Sequence, residues 1–344
     1  MAVKLKPLKD QVIVVTGASS GIGLVTARTA ATAGAAVFLV ARSADALEEV
    51  VRNINNDGGR AAFAVADVGD AAAVEAAGAA AIARFGRVDS WVNDAGSAIY
   101  GKVLDTPLDE QAQLFRTNYF GVVHGCRTAV PLLRMAGGGA IVTVGSLASD
   151  MPAPPMGVYS ATKHAVKAFV EVMRMELQAD GAPISVTLVK PAGIDTPIGQ
   201  HASNHGEPGG GAAGEAQIPP PAYDPQIVAD AILDACVHPR REVTVGGVGR
   251  AQVLFSQHFP ALYEWLAPFS AKGAFSPTKA QPGPSNLFDG ANAGQERSGE
   301  HPARLRHSLY TSAVLHPKTT VLGLGVIAGA VGLLFANRGK RRGS

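Results

Sequence analysis

Cysteine is scarce in this sequence, with only Cys126 and Cys236 among 344 residues. The two cysteines have neither the spacing of a metal site nor the density of a disulfide framework. The sequence therefore predicts no metal centre, and such low cysteine content fits a reducing compartment.

Charge is scarce as well, since Asp, Glu, Lys and Arg make up 17% of the residues and the formal net charge is +2. This small excess gives no reason to expect a nucleic acid as a partner. Residues 1–11 alternate lysines with apolar residues and lack the long apolar run of a signal peptide. We therefore expect a cytoplasmic protein, and its length allows one large domain or a domain with appendages.

A tyrosine and a lysine four residues apart, Tyr159 and Lys163, lie in a predicted helix. This spacing places both side chains on one helix face. A phenol has a reference pKa of about 10, and a nearby cation favours its ionised form. We expect Lys163 to lower the pKa of Tyr159 and to make it a proton donor or acceptor near neutral pH. Alternatively, the two are ordinary half-exposed helix residues.

A glycine turn follows the first predicted strand, Val12–Val15, and precedes an alanine-rich helix. Its glycines are Gly17, Gly21 and Gly23. A strand, a glycine turn and a helix N-terminus together make an anion site, because backbone N–H groups and the helix dipole point at the ligand. The turn thus predicts a pyrophosphate site, with an ordinary tight turn as the alternative.

The second predicted strand, Ala36–Val40, runs into Ala41, Arg42 and Ser43. Dinucleotide-binding units often have an acidic residue here that holds the ribose hydroxyls. The sequence has no carboxylate at this point, and a guanidinium is placed to receive a 2′-phosphate. This favours NADP(H) over NAD(H), although Arg42 could also be a solvated surface residue.

Further polar residues follow later predicted strands at the ligand edge of the sheet. Asp67 ends the third strand, where it is equally consistent with a helix N-cap. Asn93 follows the fourth strand, and Ser146 follows the fifth, Ala140–Val144. Asn118 falls inside one long predicted helix, from Leu108 to about Arg134.

These motifs occur in the order Thr16-Gly-x-x-x-Gly-x-Gly23, Asn93-Asp94-Ala95-Gly96, Asn118, Ser146 and Tyr159-x-x-x-Lys163. Over about residues 8–247 the sequence resembles the short-chain dehydrogenases/reductases. The resemblance implies an α/β fold: a doubly wound Rossmann domain whose seven-stranded parallel sheet has helices on both faces, here with a helical C-terminal extension.

The resemblance also implies a catalytic tetrad of Asn118, Ser146, Tyr159 and Lys163. Tyr159 would exchange a proton with the substrate oxygen, Ser146 would orient that oxygen, Lys163 would hold the nicotinamide ribose, and Asn118 would hold a water. The cofactor-binding residues it implies are Gly17, Ser19, Ser20, Gly21, Ile22, Gly23, Arg42, Ser43, Asp67, Val68, Asn93, Ala95, Gly96, Tyr159, Lys163, Pro191, Ile194 and Thr196.

The sequence departs from the family pattern at two positions. Asp94 stands where an asparagine is usual, and this change is expected to be harmless. Ala192 stands where a glycine is usual, and it is unfavourable only if that position needs a positive φ. The Gly- and Pro-rich range 201–221 is expected to be a substrate lid or a disordered insertion.

The sequence predicts a catalytic domain over 1–249, an amphipathic helical segment over 250–269, a flexible linker over 270–318 and an apolar tail over 319–344. Thr319 to Ala336 is a run of 18 uncharged residues followed by a basic cluster. Since a bilayer span needs about 20 such residues, membrane association through 319–336 is expected, with a buried tail helix as the alternative.

Together these features predict an NADP(H)-dependent oxidoreductase that interconverts an alcohol and a ketone or aldehyde, with an apolar small-molecule substrate. The alternative is a catalytically silent NADP(H)-binding sensor or scaffold of the same fold. An epimerase or dehydratase of the extended branch is disfavoured by the glycine spacing and by the length of the core domain. Relatives suggest a homo-oligomer.

Overall fold

A seven-stranded parallel sheet forms the centre of the computed structural model, which describes residues 3–205, 214–216, 218, 221–271, 275–280, 285–290, 294–299, 304–317 and 320. Its strands are β1 (Val12–Thr16), β2 (Ala36–Ala41), β3 (Arg60–Val65), β4 (Ser90–Asn93), β6 (Gly139–Val144), β7 (Ile184–Pro191) and β10 (Glu242–Val245). The short strands β5 (Ile99–Tyr100) and β8 (Ser203–Asn204) pair with each other, as do β9 (Gly214–Ala216) and β11 (Phe275–Ala280).

The sheet order is β10-β7-β6-β4-β1-β2-β3, so the chain crosses over between β1 and β4. Strands β1, β2, β6 and β7 are buried along their whole length. Near-continuous apolar runs such as Val12–Val15 are typical of parallel strands that are covered on both faces. Ligands bind beyond the carboxyl ends of such strands, where the strand order reverses.

Helices connect the strands and cover both faces of the sheet. They are α1 (Gly21–Thr32), α2 (Ala44–Asn56), α3 (Ala71–Phe85), α4 (Leu108–Phe115), α5 (Gly121–Met135), α6 (Gly157–Ala179), α7 (Gln226–Val237), α8 (Gly247–His258), α9 (Pro260–Ala271) and α10 (Leu309–Leu315). Side chains from α1, α2 and α7 form the core on one face, and those from α3, α5 and α6 form it on the other. The predicted doubly wound fold is confirmed.

The predicted long helix from Leu108 to Arg134 is interrupted. One π-helical turn, Arg116–Phe120, separates α4 from α5 and carries Asn118. Single π turns occur frequently at functional sites because they re-aim side chains. Pro131 does not end the helix, since α5 continues to Met135.

The predicted helical segment 250–269 consists of two helices, α8 and α9, and begins earlier, at Gly247. Val253 of α8 is buried, and Tyr263 of α9 donates a hydrogen bond to the Pro152 carbonyl. Several large apolar side chains of the pair are exposed, namely Leu254, Phe259, Leu262, Trp265, Leu266 and Phe269.

The sequence predicts a flexible linker over 270–318, but several described residues of this range are bound to the catalytic domain. Asp224, at the start of α7, accepts hydrogen bonds from Arg297 and Arg304 at 3.0 and 2.7 Å. Thr311 of α10 is buried and accepts from the Gly246 amide at 3.0 Å. The glycine and proline content of this range predicted a linker. The prediction failed because composition does not reveal contacts with residues far away in the chain.

The apolar tail predicted over 319–344 lies outside the described residues except for Thr320. Within the described part of the chain, no helix combines the length and the hydropathy that a bilayer span requires.

Asp224→Asn should lower the free energy of unfolding by about 1.5–3 kcal/mol at pH 7, the range for hydrogen bonds to charged groups. Burial raises the pKa of Asp224, but the bonds from Arg297 and Arg304 outweigh it and hold the pKa well below its usual value. The carboxylate therefore stabilises the fold above the pKa of the unfolded chain, and this contribution is lost as the pH falls through the folded value. Urea unfolding measures both effects.

Asp230→Asn is the matched control, because Asp230 is exposed on the same helix and accepts a hydrogen bond from the neutral side chain of Gln226. Equal losses in the two variants would show that the C-terminal segment does not depend on Asp224.

Candidate active site

A cleft with a volume of about 340 Å³ opens at the carboxyl ends of the central strands. Most of the residues predicted to bind cofactor or substrate line it: Gly17, Ser19, Ser20, Gly21, Ile22, Arg42, Ser43, Asp67, Val68, Ala95, Gly96, Ser146, Tyr159, Lys163, Pro191, Ile194 and Thr196. Three predicted site residues, Gly23, Asn93 and Asn118, lie behind this lining.

The glycine turn between β1 and α1 has no room for side chains. Gly17 has a φ of +72°, and a Cβ there would lie 2.8 Å from the Ala95 backbone. A Cβ on Gly23 would lie 2.4 Å from the Gly17 carbonyl oxygen. Ser20 precedes α1 without a side-chain cap, and the Gly21 amide in the first turn of the helix donates to the Gln295 carbonyl at 2.9 Å. A glycine turn that leads into a helix N-terminus is the kind of place where phosphate groups bind.

The ends of β1 and β4 are joined by Thr16. Its hydroxyl accepts from the amides of Asp94 and Ala95, both at 3.2 Å. Asn93, the last residue of β4, accepts from the Trp91 indole at 2.8 Å and donates to Thr143 of β6 at 3.4 Å. Asn93 therefore supports the sheet beneath the cleft.

Asp67 lines the cleft and accepts from the Gly69 amide at 2.9 Å. The N-cap of α3 is Asp70, whose carboxylate accepts from the Ala72 and Ala73 amides. The interpretation of Asp67 as an N-cap is therefore wrong. Ala192 needs no positive φ, since no described residue other than glycine has one.

Tyr159, Ser146 and Lys163 lie together at the inner end of the cleft. The Ser146 hydroxyl accepts from the Ala148 amide at 3.1 Å and lies close enough to the Tyr159 phenol to act on its pKa. Lys163 Nζ lies 5.7 Å from the centroid of the Tyr159 ring and donates to the Val144 carbonyl at 2.9 Å. Tyr159 and Lys163 are both more than 90% buried.

Burial controls the protonation of this group. It raises the pKa of Tyr159 to about 12, although the Ser146 hydrogen bond opposes the shift. Burial also lowers the pKa of Lys163 to about 8. The expectation that Lys163 lowers the pKa of the phenol is therefore not met, because desolvation of the phenolate is the largest influence on that pKa and raises it. Near pH 7 the phenol is protonated.

Asn118 binds the loop that contains Ser97, which lines the same cleft as Tyr159. Its side-chain oxygen accepts from the Ser97 amide at 2.9 Å, and its amide donates to the Ser97 carbonyl at 3.0 Å and to Thr162 at 3.1 Å. It is fully buried. The role expected for Asn118, holding a water near Lys163, stays a prediction.

Asp94 is the residue whose importance the sequence did not reveal. Its carboxyl group is partly buried between the N-terminus of α1 and Lys163. Burial raises its pKa to about 7, against the opposing effects of the Lys163 charge and of a hydrogen bond from the Gly23 amide. The departure from asparagine was visible in the sequence, but its electrostatic consequence depends on this packing.

Other cleft residues were also missed. They are Ser97, Tyr100, Leu147, Met151, Met156, Ile198, His201, Ile218, Gln252, Asn286 and Gly290. Asn286 and Gly290 come from the range predicted as linker. Arg42 donates to the Phe288 carbonyl at 3.0 Å and also to the Asn286 carbonyl, so it is not a solvated surface residue.

The family model of the short chain dehydrogenases matches residues 11–207. The chain belongs to this family. An uncharacterized oxidoreductase of Bacillus subtilis is 38% identical over 340 residues, covering 97% of this chain and 93% of that protein. A zebrafish (Danio rerio) dehydrogenase/reductase, SDR family member 7B, is 31% identical over 74% of this chain and 84% of its own length. The protein is thus a short-chain dehydrogenase/reductase enzyme.

Solved structures of short-chain dehydrogenases share the fold. One from Burkholderia phymatum, determined in complex with NAD, has a TM-score of 0.67 and 25% identity, and the match covers 75% of this chain and 96% of that one. An alcohol dehydrogenase of Thermococcus sibiricus with 5-hydroxy-NADP has a TM-score of 0.59 and 27% identity, covering 68% and 95%. A nicotinamide cofactor is therefore supported for this short-chain dehydrogenase.

Asp94→Asn should stabilise the protein by about 1–3 kcal/mol at pH 8, because a charge that burial disfavours is removed. The folded pKa is raised above the unfolded value, so the folded state holds more protons and stability falls as the pH rises from about 4 to about 7. The gain should therefore be small at pH 4.5.

Urea unfolding at pH 4.5 and 8 measures this difference. Asp57→Asn, in an exposed turn, is the control and should show no pH-dependent gain. A gain for Asp94→Asn that is equal at the two pH values would contradict the assigned desolvation.

Proposed function

We propose that this short-chain dehydrogenase is an NADP(H)-dependent oxidoreductase that interconverts an alcohol and a ketone or aldehyde with an apolar body. The observation that carries the proposal is the contact of the Tyr159 phenol with Ser146 at one end of a cleft whose other end is the glycine turn. This places a proton donor and an anion cradle in one cavity.

The residues around the glycine turn fit a dinucleotide. Any Cβ at Gly17 or Gly23 would collide with backbone, and a pyrophosphate would lie at the N-terminus of α1, where it would replace the Gln295 carbonyl as acceptor of the Gly21 amide. Solved neighbours with NAD and with 5-hydroxy-NADP lend further support. Lys163, Ile194 and Thr196 line the inner part of the cleft, where they would hold the nicotinamide half.

The preference for NADP(H) rests on Arg42. No carboxylate follows β2, and Arg42 lines the cleft at that point. A guanidinium has five N–H donors, so the two bonds to the Asn286 and Phe288 carbonyls leave others for a 2′-phosphate.

The nicotinamide, when bound, supplies or accepts the hydride. Tyr159 supplies the proton: its phenol is protonated at neutral pH, as carbonyl reduction requires. Ser146 donates to the substrate oxygen and fixes its position beside the phenol. Lys163, charged below a pKa of about 8, stabilises negative charge as it develops on that oxygen and on Tyr159.

The substrate side of the cleft is mainly apolar. Leu147, Met151, Met156, Ile198 and Ile218 line it together with the Tyr100 ring. These side chains can bury hydrocarbon but offer few polar partners, which favours an apolar alcohol or carbonyl compound. Assembly into a homo-oligomer stays a prediction from the family resemblance.

Tyr159→Phe should lower kcat for carbonyl reduction by at least about 100-fold, the lower range for removal of a general acid. NADPH affinity should change little, because the hydroxyl is aimed at the substrate. Turnover is followed by nicotinamide absorbance on a panel of apolar aldehydes and ketones. Tyr310→Phe, on α10, is the control, because Tyr310 does not line the cleft.

Retained turnover in Tyr159→Phe would refute the assigned proton route. NADPH binding by the wild-type chain without turnover of any compound in the panel would favour the sensor instead of the enzyme.

Arg42→Ala should weaken NADPH at least about 10-fold more than NADH, because a charge-assisted hydrogen bond contributes about 1.5–3 kcal/mol. The ratio of the two dissociation constants is the relevant measurement, since loss of the contacts to residues 286 and 288 acts on both cofactors alike. Equal losses for NADPH and NADH would remove the specificity argument.

A further inference from the structure

A C-terminal segment, called the strap here and comprising residues 285–290 and 294–299, runs along the rim of the cleft. Two of its residues, Asn286 and Gly290, line the cavity itself. The strap lies far beyond residue 207, where the match to the family model ends. Its contacts with the catalytic domain occur at four places.

At the substrate end, the strap is buried in the domain. Leu287 is fully buried in the apolar cluster that includes Tyr159 and Tyr100. The Asn286 side-chain oxygen accepts from the Ser97 hydroxyl at 2.7 Å, and the Asn286 backbone amide donates to the His201 carbonyl at 2.8 Å. The strap thus contacts the loop that Asn118 holds.

The strap also contacts Arg42, at the end of the cleft where the adenosine of a bound dinucleotide would lie. The carbonyls of Asn286 and Phe288 both accept from its guanidinium. A Cβ on Gly290 would lie 3.2 Å from the Arg42 Cβ, so the strap backbone lies directly on this residue.

At the glycine turn, two backbone hydrogen bonds join the strap to the phosphate cradle. The Gly294 amide donates to the Ser19 carbonyl at 2.8 Å, and the Gly21 amide donates to the Gln295 carbonyl at 2.9 Å. Beside them, Glu296 forms an ion pair with Arg28 of α1 at 2.6 Å.

Beyond this point the chain is firmly attached. Arg297 binds Asp224 at 3.0 Å, and the Ser298 amide donates to the buried Asp195 at 3.2 Å. The strap is therefore held at both ends, while its middle meets the domain through Arg42 and the glycine turn. A cavity of about 340 Å³ persists with Asn286 and Gly290 in its lining, so the strap encloses the cleft without filling it.

We infer that the strap is the outer wall of the cofactor site, and that a bound nicotinamide dinucleotide leaves only after the strap has opened. Asn286 and Gly290 are binding residues of this site, and Arg42 fastens the strap at its adenosine end. The inference rests on the proposed dinucleotide function. Release is slow because opening breaks the Arg42 bonds, the two backbone bonds at the glycine turn and the Glu296–Arg28 pair together.

The ion pair between Arg28 and Glu296 allows a direct test, because neither residue lines the cleft. In the full-length chain, NADPH release is followed by stopped flow with excess NADP⁺ as the chase. Glu296→Arg should speed release about two- to five-fold, the range for a partly exposed ion pair. Arg28→Glu should do the same, and the double variant should restore the wild-type rate.

Electrostatics alone predicts the opposite sign for Glu296→Arg, because added positive charge near an anionic cofactor would slow its release. Glu75→Arg, exposed on α3, controls for the change in net charge. If Glu296→Arg binds NADPH but releases it at the wild-type rate, the inferred role of the strap is overturned and the proposed function still stands. Failure of the wild-type chain to bind either NADPH or NADH would overturn both.

Hydrogen exchange gives a second measurement on the unmodified chain. NADPH binding should slow amide exchange in peptides covering 285–299, since the cofactor would fill the space beneath the strap. Faster exchange in these peptides on NADPH binding would mean that the strap occupies the cofactor site itself and is displaced, which would refute its role as the outer wall.

Discussion

Burial of ionisable groups at the carboxyl edge of the sheet governs this site. Tyr159, Lys163 and Asp94 share a region of low polarity, and burial is the largest influence on the pKa of each. Each group is driven towards its neutral form. The attraction between the charges of Lys163 and Asp94 limits the shift in the pKa of each group. The result is a protonated phenol beside a lysine that is still charged near pH 7, which is the state suited to reducing a carbonyl.

The parallel sheet and the order of motifs could be predicted from sequence because their signals are local. A β-branched run such as Val12–Val15 and the glycines after it determine a strand, a turn and a helix within about twenty residues. The π turn at Asn118 could not be predicted this way. Helical periodicity looks the same on both sides of it, and the turn is fixed by bonds to Ser97 and Thr162, which are distant in sequence.

The strap shows a different limit of sequence reasoning. Its Gly-, Asn- and Ser-rich composition predicted a linker, yet it binds through backbone carbonyls and amides that any sequence possesses. Its partners Arg42, Ser19 and Gly21 lie more than 240 residues earlier in the chain. Composition measures the propensity of a segment to fold alone, and this segment is ordered by a surface that other elements build.

Arginine suits the position after β2 for two separate reasons. Its planar guanidinium can donate to two carbonyls on one side and still present N–H groups to a phosphate, whereas a lysine offers a single point charge. Under the proposed function and the inferred role of the strap, this one residue would connect the choice of cofactor with the closing of the cleft. The match with the Bacillus subtilis relative covers 97% of this chain, so it extends past residue 207, where the match to the family model ends. Cofactor chemistry would then belong to the shared domain, and enclosure of the cofactor would belong to the extension that follows it.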